Sequence, residues 1–202
     1  MKSDAIAFGV AGIAFGLVAG WVIGTQEAKR GPQVVPTPPA QSSTAPAGGS
    51  TAAILDENKV AAFKSVAEKE PTNPTPRTEL GNLYMDAEKY DEAAKWYAES
   101  LKLAPKDADV STDLGICLYM TQQFDKALTQ FDHSLSIDPK HLKTLLNIGV
   151  VRAFGKQDLA GAEKAWQQVV DIAPNSEEAQ RAKRALESIR SAHPNTTTTP
   201  GN

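Results

Sequence analysis

Of the side chains suited to nucleophilic, acid–base or metal chemistry, the 202-residue chain carries three histidines, His133, His141 and His193, and one cysteine, Cys117. None falls in a pattern such chemistry needs. There is no HExxH pair, Gly-rich phosphate loop, GxSxG elbow or calcium loop. A single cysteine excludes an internal disulfide and any multi-cysteine metal site, and between Ile116 and Leu118 it reads as a small buried hydrophobe. The carboxylates match helix surfaces, as at Asp91 and Glu92, where negative charge favours the start of a helix. We therefore expect no enzyme, cofactor, metal or small-molecule substrate. The 21 Lys and Arg are interspersed with 24 Asp and Glu for a net charge of −3, which gives no clustered basic surface for nucleic acid. What remains is recognition of another protein.

The elements that would position such a surface follow from a repeat. Leu80-Gly81, Leu114-Gly115 and Ile148-Gly149 recur every 34 residues, and the closing prolines Pro105, Pro139 and Pro174 follow at 34 and then 35. Between them stand Ala93, Ala127 and Ala162, then the aromatic series Tyr97, Phe131 and Trp166. A fixed period in this range marks a solenoid, whose unit is too small to bury its apolar face alone. Gly81, Gly115 and Gly149 lie mid-helix, where Gly costs about 1 kcal/mol against Ala. Their recurrence implies close helix approach, so a bulky residue at Gly115 should push two helices apart.

At these residues the chain resembles the tetratricopeptide repeat family, a helix-turn-helix unit of about 34 residues with a G, Y, A, F, P pattern. Leu118 and Arg152 replace the aromatic Tyr84 in the later copies, and the family's early tryptophan is absent. The resemblance implies an all-α solenoid of three repeats, 74–107, 108–141 and 142–176, flanked by capping helices 52–70 and 177–190. The third copy carries one extra residue around Gly155 to Leu159, so its internal turn should be looser. Residues 52–70 read as the second half of a repeat lacking its first half, with Leu55, Ala62, Phe63 and Val66 near one stripe. The segment after Pro174 opens on an Asn175-to-Glu178 capping pattern and places Ala179, Ala182, Leu186 and Ile189 on one face.

In that family the stacked first helices line a concave groove that reads a peptide or partner helix. The resemblance carries this role to Asn82, Met85 and Asp86 in the first unit, Ile116, Tyr119 and Met120 in the second, and Lys143, Val150 and Phe154 in the third. Thr75, Thr78, Asp109, Thr112, Leu146 and Ala153 fall beside them. Asn82 and Lys143 hold places used by a clamp for chaperone carboxylates. Thr78, Asp113 and Asn147 stand where its lysine, asparagine and arginine would be expected, which disfavours chaperone tails. The groove is instead Met-rich and aromatic over a modest acidic rim, as helix-in-groove recognition requires.

Ahead of the array, Ala5 to Gly24 form an apolar run of 20 residues, enough for a helix to cross a bilayer core of about 30 Å. Residues 1–4 precede it as a short tail. Gly12, Gly16, Gly20 and Gly24 fall every fourth residue, a spacing that favours helix pairing in lipid and so self-association. Trp21 suits an interfacial position. The competing reading is a cleaved signal peptide, with Lys2 as its basic end. Lys2 balances Lys29 and Arg30 across the run, so charge leaves orientation open. A short tail before the helix points to export of the array, into the periplasm if the cell is bacterial. Residues 25–51 are rich in Pro, Ser, Thr and Gly and cannot pack a core; they read as a disordered tether, as do 191–202 at the other end. Anchor, linker and array in this order fit a membrane-anchored scaffold of the kind found among bacterial assembly factors. The alternatives are an organelle targeting receptor and a free periplasmic binding module.

Overall fold

The computed structural model describes residues 53–192. The expected span 5–24 with its glycine face, the linker 25–51, residue 52 and the tail from 193 lie outside them. Among the described residues no helix is long and apolar enough to cross a membrane. Eight α-helices follow one another without a strand among the described residues. They are α1 (Glu57–Lys69), α2 (Thr75–Asp86), α3 (Tyr90–Leu103), α4 (Ala108–Met120), α5 (Phe124–Ile137), α6 (Leu142–Val150), α7 (Leu159–Ile172) and α8 (Glu177–Ala192). A π turn at Val151–Gly155 continues α6. The three units are thus α2 with α3, α4 with α5, and α6 with α7.

Local chemistry sets the ends. Asp56, Asp107 and Asp158 accept backbone N–H bonds at the starts of α1, α4 and α7, satisfying donors a helix leaves open. Ser176 does so for α8, its Oγ accepting from Ala179 N at 3.0 Å, so the cap falls one residue after the expected Asn175. Each second helix stops two residues before a closing proline, Pro105, Pro139 or Pro174, because the residue before a proline is disfavoured in the α region.

Within each unit the glycine of the first helix takes the aromatic ring of the second. A Cβ on Gly81 would stand 2.5 Å from Tyr97 Cδ1, one on Gly115 2.6 Å from Phe131 Cδ1, and one on Gly149 2.5 Å from Trp166 Cδ1. Ala93, Ala127 and Ala162 are fully buried one turn before those rings. The mid-helix glycines therefore exist to bring two helices within ring thickness, and the buried ring offsets their propensity cost.

Between units a polar layer appears that the repeat pattern did not announce. Thr112 Oγ1 lies 2.6 Å from Thr144 Oγ1 and 3.0 Å from Ser134 Oγ, and Ser134 lies 2.8 Å from Thr144. All three residues are fully buried. Thr78 and Ser100 form the same pair at 2.7 Å one unit earlier. In the third unit Leu146 and Val169 occupy the equivalent places, and both are buried, so the array changes from a hydrogen-bonded to an apolar seam. No buried side-chain nitrogen or oxygen among the described residues lacks a partner, as a native interior requires.

Three expectations change. α1 begins at Glu57 rather than residue 52, and it buries Val60 and Ala67 while Val66 remains 38% exposed. The register explains this: Val66 stands 34 residues before Ser100, on the face that would cover a preceding first helix, and none is among the described residues, whereas Leu55 and Phe63 pack against the core. The third unit's turn is not looser either. Glu88, Gln122 and Gln157 close the three turns with φ of 55°, 61° and 57°. The extra residue is absorbed upstream: Lys89 N bonds Tyr84 O and Gln123 N bonds Leu118 O, while Asp158 N reaches Arg152 O across one residue more. The helix widens into the π turn, and Lys156 N bonds Val151 O at 3.0 Å.

The array ends by composition at α8. Continuing the third unit's register, Lys183 and Arg184 fall where Ile148 and Gly149 stand, and both are exposed. The last described helix thus carries charge where the earlier first helices carry an apolar residue and a glycine, which is what a terminal cap provides.

Candidate functional site

Successive first helices approach one another, α4 with α6 and α6 with α8, whereas consecutive second helices do not come as close. The first helices therefore form the inner row of the array, and their outward side chains define the groove floor and edges.

The expected groove residues divide into two groups. Met85, Tyr119, Met120, Asn82 and Lys143 are half-buried, Asp86 is exposed, and Phe154 is 50% exposed. Ile116 and Val150 are not surface residues: at 2% and 4% exposure they belong to the core. They follow the glycines directly in the helix, at Gly115 and Gly149, where the close approach encloses the next side chain as well. Thr112, Leu146 and Ala153 are buried too, so the groove is shallower at its centre than the motif alignment implied.

Its apolar surface concentrates at the carboxyl ends of the first helices. Tyr119 stacks obliquely on Phe124, with ring centroids 5.8 Å apart. Gly155 lies against the same Phe124 ring, so closely that a Cβ there would stand 2.7 Å from Cδ1. The preceding residue is Phe154, carried on the π turn. A π turn is an insertion that pushes side chains off the regular helical stripe, and here it leaves a phenylalanine half in water, one residue before the glycine that lies against Phe124. The sequence signal was the one extra residue before Ala162.

Two polar groups of the groove, Asn82 and Lys143, are already engaged. Tyr97 donates its hydroxyl to Asn82 Oδ1 at 2.8 Å and to Met85 Sδ at 3.4 Å, which fixes the orientation of Asn82. Burial, reinforced by nearby Asp113, pushes the Tyr97 phenol well above its usual range, so it stays a donor. Lys143 Nζ bonds Asp113 Oδ1 at 2.6 Å. Burial raises the Asp113 carboxyl, and the Lys143 ammonium opposes that effect without cancelling it. The lysine that a carboxylate clamp would need is thus committed within the array. Lys156 is likewise paired with Asp125 at 2.6 Å. Asp109 accepts at 3.0 Å from His141 Nε2 when that nitrogen carries the proton.

No group of three His, Cys, Asp or Glu side chains among the described residues could hold a metal. Burial pushes the Cys117 thiol up to about 12, which leaves it protonated and inert at neutral pH. A cleft of about 640 Å³ lies between α7 and α8, lined by Leu159, Glu163, Gln167, Leu186 and Ile189 among others. It is the last seam of the array and contains none of the expected groove residues.

Comparison with known proteins follows this geometry. Residues 78–194 match the family described as the cilia and flagella-associated protein 70 middle TPR-like domain. No curated protein matches the chain. A crystal structure of MamA is similar, with a TM-score of 0.56 at 18% identity over 66% of this chain and 81% of that one. The first TPR of Spaghetti (RPAP3) bound to the HSP90 peptide SRMEEVD gives 0.52 at 23% identity, over 68% and 95%. The Yersinia enterocolitica type III secretion chaperone SycD, in complex with a peptide of the translocator YopD, gives 0.53 at 22% identity, over 57% and 91%. At these identities the likeness concerns the fold.

Proposed function

The chain belongs to the family of the cilia and flagella-associated protein 70 middle TPR-like domain, and from that premise we propose that it is a membrane-tethered scaffold that binds a partner protein along the inner row of its array. The carrying observation is the half-exposed Phe154, carried on the π turn next to Gly155, which lies against the Phe124 ring. An exposed aromatic on an otherwise well-packed array is the kind of anchor that interfaces use. Two of the similar arrays hold peptides, which supports peptide or helix recognition as the mode. The commitment of Lys143 to Asp113 argues for a partner other than a chaperone carboxylate.

The tether is the apolar run 5–24 followed by the linker 25–51. The run has the length of a span, and the linker would let the array search within tens of ångströms of the bilayer. The array then acts on the extracytoplasmic side, and the glycine face offers a second contact within lipid. Carbonate extraction tests the anchor: the full chain should stay with membranes, and a chain lacking residues 1–24 should be released. Photo-crosslinking in those membranes tests the groove. A photoreactive side chain at Met120 should give a protein adduct that the same group at Asp132, exposed on α5, does not. Equal adducts at both positions would remove the groove from the account.

A further inference from the structure

The residues just ahead of α4, α6 and α8 are Asp107, His141 and Ser176, in one register of the repeat. Asp107 and Ser176 turn back on their own helices and accept from Val110 N and Ala179 N, each at 3.0 Å, as cap residues do. His141 makes no side-chain cap bond. Its ring enters the seam between the second and third units instead, at 16% side-chain exposure. There Nδ1 lies 2.6 Å from Thr144 Oγ1 and Nε2 lies 3.0 Å from Asp109 Oδ1. A local cap is given up for contacts that reach α4.

The hydroxyl layer fixes where the protons of that ring belong. Thr112 Oγ1 stands 2.7 Å from Ala108 O and 2.6 Å from Thr144 Oγ1. With the contact to Nδ1, three short contacts therefore run through two hydroxyls. A carbonyl only accepts, which commits the Thr112 proton to Ala108 O. The Thr144 proton then serves Thr112, and the contact to Nδ1 is filled only by a proton on the ring. Ser134 also donates to Ala108 O, at 2.9 Å, and is no party to those three contacts. The Asp109 carboxylate, an acceptor, calls for a proton on Nε2 as well. Both nitrogens donate in the imidazolium and in neither neutral tautomer. A neutral ring would set two acceptors face to face, either at Asp109 or among fully buried hydroxyls, where a missing donor is costly.

We propose that protonated His141 is a clasp between the second and third units, tying α6 to α4 through Asp109 on one side and through Thr144 and Thr112 on the other. Loss of its proton slackens this junction and not its neighbours. The charged groups around the ring support that assignment. From α4, Asp109 faces Nε2, and Asp113 is held by Lys143 of α6. From α5 the layer receives Ser134, while His133 of that helix is bonded to Ser111. Ahead of α6, Asp138 accepts from Lys140 N. A cation at the start of α6 opposes the helix dipole, and Asp109 offsets it. Asp109 is 77% exposed, so water screens that pair and the buried hydroxyl bond carries more of the coupling.

The sign follows. A fold that favours the charged ring holds the clasp fully in acid and loses it as pH rises through the range in which histidines give up their proton, about pH 5 to 8. The flanking junctions lack such a group: Thr78 bonds Ser100 at the first, and buried Leu146 and Val169 fill those places in the third unit. The inference stands apart from the groove reading, because the junction is measured without a partner.

Hydrogen exchange of the full-length protein in detergent tests it, with each rate taken relative to the unfolded chain at the same pH. Amides of α6 should lose at least about threefold in protection between about pH 5.5 and 8, and those of α2 should change less. His141→Leu should abolish that difference, Asp109→Asn should reduce it and Asp113→Asn should leave it. Equal protection of α6 at both pH values in wild type, or a difference that survives His141→Leu, overturns the clasp. A difference removed by Asp113→Asn overturns it too, by assigning the effect to the ion pair with Lys143. Should His141→Leu fail to fold, as its thermal midpoint will show, Asp109→Asn decides, and an unreduced difference there overturns the proposal.

Discussion

Gly149 lies against the face of Trp166, whose indole Nε1 donates to Leu146 O at 3.0 Å within the same buried layer. One residue without a side chain thus seats the largest side chain of the third unit, at 0% exposure, and positions α6 ahead of the π turn that carries Phe154. The groove's aromatic edge depends on this contact although neither residue reaches the surface.

Gly149→Ala is accordingly destabilising, even though Ala is the better helix former by about 1 kcal/mol. Overpacking a rigid, buried ring should cost about 1–3 kcal/mol. Urea denaturation measures it. Adding Trp166→Leu should recover part of the loss, giving a double variant less destabilised than the sum of the two singles.

The Thr112, Ser134 and Thr144 layer predicts an asymmetry. Ser134→Ala alone leaves two buried hydroxyls short of a partner and should cost about 1–2 kcal/mol. Replacing all three, as Thr112→Val, Ser134→Ala and Thr144→Val, in a His141→Leu background removes the layer's donors and acceptors together, His141 Nδ1 at 2.6 Å from Thr144 Oγ1 included, and the triple change should there cost less than the single change predicts per group. The third unit supports this, since Leu146 and Val169 fill the equivalent places. Equilibrium unfolding of the single and triple variants decides it.

Asp113 sets a pH dependence. Its carboxyl is raised above 3.8 by burial, against the pull of Lys143. A carboxyl whose folded pKa exceeds its unfolded one contributes stability that is full below the unfolded value and lost as pH rises through the folded value. Relative to Asp113→Asn, wild type should therefore gain stability as pH falls toward 4, and the variant should be at least as stable at pH 7. Lys143→Met leaves the buried carboxylate without its cation and should cost about 1–3 kcal/mol at pH 7. Thermal unfolding from pH 4 to 8 checks both signs.

Gln122 closes the second unit's turn at φ 61° with an exposed side chain. A non-glycine residue there is strained, so Gln122→Gly should stabilise by about 0.5–1 kcal/mol after the entropy cost of glycine in the unfolded chain. A loss of stability in thermal unfolding would contradict the turn geometry.

The architecture was legible because its determinants are local and recur: Gly81, Tyr97 and Pro105 repeat as a set, and their spacing alone implies paired helices. The exposed half of the groove was legible for the same reason. Ile116 and Val150 were not, since burial beside Gly115 and Gly149 depends on how closely the neighbouring helix and ring approach, and a motif position carries no such distance. The stripe on α1 held at Leu55 and Phe63, which pack against the core, and failed at Ala62 and Val66, which are exposed, on a face that no other described helix covers. The extra residue in the third unit was visible, but a turn and a helix can both absorb an insertion. Retention of the same left-handed residue at Gln157 forced it into the helix.

The most direct measurement is affinity capture from detergent-solubilised membranes with the full chain, comparing wild type with a Tyr119→Ala, Met120→Ala, Phe154→Ala variant matched for thermal stability. The account predicts a partner retained by wild type and lost by the variant, with the Gly149 and Trp166 layer intact in both. The same partners captured equally by the two proteins would contradict it and move the binding surface away from the inner row.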